Sequence, residues 1–141
     1  LRLPPGGAVL LSVADRDKPE ALPIIRRLGQ VGYRLYATEG TAAMIQALGL
    51  PVTMITKILG EGHPNVLDVV QDGTVQGVLN TLSGGRGPLS DGFAIRRAAT
   101  ERRIPCFTSL DTFRAAVECL AHASHSYAIL PLREYLHRSP T

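Results

Sequence analysis

Ala8-Val9-Leu10-Leu11-Ser12-Val13, followed by Asp17-Lys18-Pro19-Glu20, is the stretch from which the architecture unfolds. The first run is almost wholly apolar, with β-branched and leucine side chains in series, as in a strand covered on both faces. The second offers an N-cap at Asp17, an early helical proline and an acid three residues after the cap. A helix is therefore predicted from there to about Val31, before Gly32, with Pro23 distorting its first turns.

The alternation continues outward from that unit. Arg34 to Thr38 predicts a second strand, and Gly40-Thr41 opens an alanine-rich helix closed by Gly49. Val52 to Thr56 predicts a third strand, Lys57 to Pro64 a loop, and Asn65 to Gln71 a helix ended by Gly73. Gln76 to Thr81 predicts the fourth strand, and the glycine-rich segment Ser83-Gly84-Gly85-Arg86-Gly87-Pro88 is too flexible for regular structure. Ser90-Asp91 can cap a helix with Ala94, Ile95, Ala98 and Ala99 on one face and Arg96, Arg97, Glu101, Arg102 and Arg103 mainly on others. Pro105 to Ser109 predicts the fifth strand, Asp111 begins a last long helix, and Pro131 to Leu136 forms a shorter closing segment. Five strands alternating with helices imply right-handed βαβ units: an α/β, three-layer α-β-α fold around a five-stranded parallel sheet.

Composition sets the outer limits. The 141 residues suit one domain, 45% of them hydrophobic and 19% charged, with no apolar run near the roughly 20 residues of a membrane span. The first seven residues, Leu-Arg-Leu-Pro-Pro-Gly-Gly, look like the tail of an interdomain linker, so residues 1–7 are expected to be a linker remnant and 8–138 the domain of an excised piece. Cys106 and Cys119 lack ligand spacing, which leads to the expectation of a reduced, cytoplasmic setting without disulfide or zinc. The net charge of +3 comes from dispersed arginines interleaved with acids, and few aromatics are available for stacking, so no nucleic-acid partner is expected. His122, His125 and His137 have no third ligand nearby, and no metal site is expected.

In such sheets ligands bind at the carboxyl ends of the strands, where strand order reverses. Of 15 basic residues only Lys18 and Lys57 are lysines, and they follow the first and third strands. Thr38-Glu39-Gly40-Thr41 follows the second strand and Asn80-Thr81-Leu82-Ser83-Gly84 the fourth. The Thr-Xaa-Gly-Thr turn is suited to phosphate, because glycine admits close approach, the helix start presents free N–H groups and two hydroxyls lie beside them. Taken singly, each position also fits a plain cap or a solvated lysine; taken together they indicate an anion site. His63 beside Glu61 could serve acid–base chemistry or be a solvated loop pair, and no catalytic residue is assigned.

The ordered set Leu10-Leu11-Ser12-Val13 with Asp17-Lys18, Ala37-Thr38-Glu39-Gly40-Thr41-Ala42, Lys57 with Glu61-Gly62-His63-Pro64, Asn80-Thr81 with Ser83-Gly84, and Asp91 with Ile95-Arg96-Arg97-Ala98 resembles the C-terminal regulatory domain of carbamoyl phosphate synthetase large subunits. That domain has a methylglyoxal-synthase-like, Rossmann-like fold. The resemblance implies a non-catalytic domain that binds nucleoside monophosphates such as UMP and IMP and tunes carbamoyl phosphate synthesis for the pyrimidine and arginine pathways. It implies that Lys18, Thr38, Gly40, Thr41, Lys57, Asn80, Thr81 and Ser83 hold the phosphate and sugar. Asp91, Ala94 and Ile95 would line the base end, and Thr108 matches a position near the ornithine pocket of enteric enzymes. It further implies a parent ligase using ATP and Mg, with the remaining synthetase domains, a glutaminase small subunit and a homo-oligomer contact as the partners to look for. Leu82 departs from the family's Asn-Thr-Thr, and Cys106-Phe107 from its more polar pair before Thr108.

Two enzymes of the same fold are the alternatives. Methylglyoxal synthase, a lyase acting on dihydroxyacetone phosphate, has a catalytic aspartate after a Gly-Gly pair where this chain has Gly62-His63. The IMP cyclohydrolase domain has a Lys-Thr-Leu-His-Pro-Lys-Val-His stretch that His63-Pro64-Asn65-Val66 echoes only in its middle, with Leu67 in place of the second histidine.

Overall fold

The computed structural model describes residues 2–56, 64–81 and 91–129. Its elements follow the order β1 (Ala8–Ser12), α1 (Lys18–Gln30), β2 (Arg34–Thr38), α2 (Glu39–Ala47), β3 (Thr53–Ile55), α3 (Val66–Gln71), β4 (Gly77–Asn80), α4 (Asp91–Glu101), β5 (Cys106–Phe107) and α5 (Leu110–Ile129). The sheet order is β3-β2-β1-β4-β5 and every pairing is parallel. The chain winds outward from β1 through β2 to β3, then crosses back to β4 and β5, so the order reverses between β1 and β4.

Successive strand residues face opposite sides, and the two hydrophobic clusters record that alternation. Val9, Leu11 and Val13 face α1, α2 and α5, where Ile25, Leu28, Ile45, Phe113 and Val117 close the layer. Phe107 of β5 meets Phe113 of α5 edge to face, with ring centroids 5.4 Å apart. Ala8 and Leu10 face α3 and α4, against Val66, Val69, Val70, Ile95, Ala98 and Ala99. Each fully buried side chain of this size contributes roughly 1.5–3 kcal/mol. The three-layer α/β architecture is therefore as expected, and its central strand is β1.

The ends of the elements differ from expectation for local reasons. Asp17 does not cap α1 with its side chain; the residues Asp15–Asp17 form a 3-10 turn that runs straight into the helix, and Asp17 has helical angles itself. β3 is Thr53–Ile55 instead of Val52–Thr56, because Thr56 leaves the sheet to bridge Asn65. β5 keeps only Cys106 and Phe107 of the expected Pro105–Ser109, since Ser109 turns away to cap α5, its Oγ 3.4 Å from the Thr112 amide nitrogen. α3 begins as expected at Asn65, which forms a reciprocal capping box with Asp68. Gly32 (φ +90°) after α1 occupies the left-handed region open to glycine.

In the segment read as a linker, Leu3 is only 6% exposed and packs over Gly77 at the start of β4. The Tyr33 hydroxyl donates to the Pro4 carbonyl, and the Ala8 amide donates to Gln76 Oε1 at 2.7 Å. Residues 3–8 are thus fastened to the amino edge of the sheet, opposite the carboxyl edge where a ligand would sit. The expected closing segment Pro131 to Leu136 lies outside the described residues. Among the described residues, no helix is long and apolar enough to cross a membrane.

Candidate functional site

The backbone after β1 is held from both sides of the point where strand order reverses. The Val13 amide donates to Thr41 Oγ1 at 3.0 Å, from the first turn of α2. The next amide, Ala14, donates to Thr81 Oγ1 at 2.7 Å, from the end of β4. Thr81 in turn donates its own amide to the Ser12 carbonyl, 3.1 Å away. Thr41 and Thr81 are both buried, and each lends its oxygen lone pairs to the loop while keeping a hydroxyl proton to donate. Their first duty is therefore to fix the loop that delivers Lys18.

Lys18 is the first residue of α1. Its Nζ lies 3.1 Å from the place where a Cβ on Gly40 would stand, directly over the first turn of α2. A cation in that position opposes the helix dipole, whose amino end is itself partly positive. Asp15 supplies the compensation, with Oδ1 2.6 Å from Lys18 Nζ. The Lys18 hydrogen bond, then its charge, holds the Asp15 carboxyl below its ordinary range. Asp15 is 95% exposed against 24% for Lys18, so the carboxylate can leave for water while the ammonium stays over the helix.

The helix mouth beneath Lys18 is open. Thr38 occupies the N-cap position with extended angles but makes no side-chain cap hydrogen bond, in contrast to Asn65 at α3. The free N–H groups of the first turn thus lie beneath the Lys18 ammonium, with Thr38 at the N-cap beside them, a donor set suited to phosphate or carboxylate.

Asn80 ends β4 two strands away. Register places Ser12 opposite Asn80 and Leu11 opposite Ala37, so Thr38 and Asn80 flank β1 at one level, roughly 9.5 Å apart at two strand spacings. Asn80 Nδ2 lies 3.0 Å from the place of a Cβ on Gly92, in the first turn of α4, and Arg96 Nη1 lies 3.3 Å from the same point.

The structure thus brings together Lys18, Thr38, Gly40, Thr41, Asn80 and Thr81 at one sheet edge. Lys57 and Ser83 lie outside the described residues, as do His63, Glu61 and Leu82. Asp91 starts α4 and Ala94 is half-buried on it, whereas Ile95 is 2% exposed and packs into the sheet core. Thr108 stands apart from that group. It lines a separate cleft of about 320 Å³ with Arg16, Asp17, Glu20, Ser109 and Asp111, beside α5. Thr81 borders that cleft too. Two further residues reach this edge, Asp15 against Lys18 and Arg96 towards Gly92. Their only sequence signals are spacing, Asp15 three residues before Lys18 and Arg96 four after Gly92. Among the described residues, no group of three or more potential metal ligands occurs.

Known proteins resemble this chain in sequence and in fold. The family model described as "MGS-like domain" matches residues 20–108. The chain is 48% identical over 130 residues to the carbamoyl phosphate synthase large chain of Thermomicrobium roseum, an alignment covering 92% of this chain. It spans only 12% of that relative's length. Among solved structures, the methylglyoxal synthase of Elizabethkingia anophelis NUHP1 superposes with a TM-score of 0.60 at 15% identity, covering 92% of this chain and 81% of that one. A crystal structure of ForH gives 0.59 at 18% identity, over 94% and 88%. At those identities the two structures speak to the fold alone.

Proposed function

The chain belongs to the MGS-like domain family, and from that membership we propose that it is the effector-binding regulatory domain at the C-terminal end of a carbamoyl phosphate synthase large chain. Its ligand is a nucleoside monophosphate of the UMP or IMP type. The observation that carries this reading is the Lys18 ammonium held over Gly40 at the uncapped mouth of α2. That arrangement is electrostatically unfavourable when empty and favourable once an anion lies between the two positive groups. The polar groups of Asn80, across β1 at the same level, add a second anchor at a distance suited to a nucleotide.

Lys57 and Ser83 complete the phosphate grip, and Asp91 with Ala94 lines the far end. The domain itself carries out no chemistry. It needs no cofactor, whereas the parent ligase uses ATP and Mg on its other domains, draws ammonia from a glutaminase small subunit, and works in the cytoplasm for the pyrimidine and arginine pathways. Support for this parent comes from the 48% identity to a large chain. Ligand entry trades the exposed Asp15 partner of Lys18 for the phosphate, and so biases contacts with the neighbouring domain. Coupling of this kind amounts to about 1–3 kcal/mol.

The test is thermal unfolding and calorimetry with UMP, IMP and inorganic phosphate. A site filled at 100 times its dissociation constant adds about 2.7 kcal/mol of stability. No shift with either nucleotide removes the sensing role, and turnover of dihydroxyacetone phosphate by the purified chain replaces it with the lyase reading.

A further inference from the structure

Residues 3–8 are built into the amino edge of the sheet. Leu3 packs over Gly77, where a side chain would collide with it. A Cβ on Gly7 would stand 2.7 Å from Gln76 Oε1 and 2.9 Å from the Tyr33 hydroxyl, and that hydroxyl donates to the Pro4 carbonyl. The Gln76 carboxamide joins the parts: Oε1 accepts from the Ala8 amide at 2.7 Å, while Nε2 donates to the Gly73 carbonyl at 2.9 Å. The opposite end of β4 is fastened in the same way. Gln76, just before β4, holds the first amide of β1, and Thr81, just after β4, holds the Ala14 amide of the loop that delivers Lys18. All four residues of β4 are buried and paired with β1. Displacing the Lys18 loop therefore loads one end of a stiff strand pair, and the strap sits at the other.

We infer that residues 3–8 are a coupling strap: its seated form and the filled anion site favour one another, so occupancy at the carboxyl edge is felt at the opposite edge, where the chain enters the sheet. The strap has two states within reach. One leucine and a few hydrogen bonds hold it, far less than holds the domain, so it releases locally while the sheet stays folded. Seated, it fixes β1 against β4 through Gln76, and that register sets where Thr81 holds the Lys18 loop. Released, it leaves the pair anchored at one end only. An element with two arrangements that both sites bias is what coupling between distant edges requires. Gly7 and Gly77 belong to the device, since their missing side chains are the space in which the strap is seated.

This inference rests on the effector-binding reading above, and its test separates the two. Hydrogen exchange is followed on the chain with and without saturating UMP, at the Ala8 amide and at the Arg34 amide, which donates to the Gly7 carbonyl. UMP should slow both by about fivefold or more, the lower end of ordinary coupling, while the turn Leu48–Leu50 keeps its rate. Because coupling is reciprocal, Leu3→Ala should weaken UMP binding by up to the same factor, measured calorimetrically at a temperature where thermal unfolding shows the variant folded. Gly77→Ala, which unseats Leu3 from below, should do likewise. A strap with a structural role alone would change Tm and leave the UMP dissociation constant where it was. Unchanged affinity in both variants, or slowing spread equally over Leu48–Leu50, overturns the strap and leaves the nucleotide site standing. Failure of UMP, IMP and inorganic phosphate to bind the parent chain overturns the site, and the coupling with it.

Discussion

Gly40→Ala should move stability and ligand affinity in opposite directions. Gly40 lies in the first turn of α2, without a positive φ, so alanine can adopt its backbone. Replacing a helical glycine by alanine stabilises by roughly 0.5–1 kcal/mol, which for a chain of this length raises Tm by about 2–4 °C. The new methyl would stand 3.1 Å from Lys18 Nζ. That is closer than an ordinary contact, so the ammonium must retreat by a few tenths of an ångström, which a lysine end does at little cost. The protein without ligand therefore gains. The anion loses, because the same methyl occupies the floor between the ammonium and the helix mouth. A charge-assisted hydrogen bond contributes about 1.5–3 kcal/mol, so its complete loss weakens binding by about 10- to 150-fold, and partial displacement of Lys18 by about tenfold. Calorimetric affinity for UMP and ribose 5-phosphate, with thermal unfolding of the unliganded chain, reads both quantities. Lys18→Ala gives the full affinity loss, and Gly40→Ala on that background should add little, because the glycine acts through the lysine. A Gly40→Ala chain that binds as tightly as its parent, or a double variant whose losses simply sum, refutes the cradle.

Three further outcomes follow from the packing. Thr81→Val keeps the shape of the side chain but strands the Ala14 amide, which loses a 2.7 Å acceptor in a buried setting; urea unfolding should show a loss of about 1–3 kcal/mol. Gly77→Ala thrusts a methyl into Leu3 Cδ2, so it should destabilise by about 1–3 kcal/mol, and pairing it with Leu3→Ala should recover part of that loss in denaturant titrations. Burial pushes the Tyr33 phenol up to about 12. Because the folded state holds this proton longer than the unfolded chain, the contribution is complete below about pH 10 and declines as pH rises towards 12; Tyr33→Phe should flatten that alkaline slope, and absorbance at alkaline pH should show one of the four tyrosines ionising late.

Much of the fold could be read because β1 is covered on both faces. Its run of apolar residues has no other comfortable home than the middle of a parallel sheet, and the elements on either side then follow from handedness and spacing. The edges were harder for the same reason inverted. β5 owes its existence to two pairings, Val78 with Cys106 and Leu79 with Phe107, and nothing in Pro105 to Ser109 announces that Ser109 will leave the sheet to cap α5. β3 stops at Ile55 because Thr56 finds Asn65, nine positions further on, a pairing that hydrophobic periodicity does not encode. Leu3 was hidden by composition: a stretch rich in proline and glycine reads as a spacer, yet one leucine in it covers Gly77, a partner 74 residues away that only the closed sheet brings near.

The site shows the same division between what position dictates and what reach dictates. Strand ends are fixed by topology, so Lys18, Thr38, Gly40 and Asn80 could be assigned to one edge from their order alone. What order does not give is which polar groups already have work. Thr41 and Thr81 are committed to the loop amides, whereas Thr38, with the same chemistry three residues earlier, makes no cap bond. Nor does order foresee that a long side chain can serve the turn before its own. A helical wheel puts Arg96 on a face by the angle of its Cα; the guanidinium, several bonds away, comes back to Gly92. Asp15 is the converse case, an exposed acid whose meaning lies in being replaceable. An ammonium facing a helix's amino end needs a negative partner, and a partner standing almost wholly in water is the one most easily exchanged for a ligand.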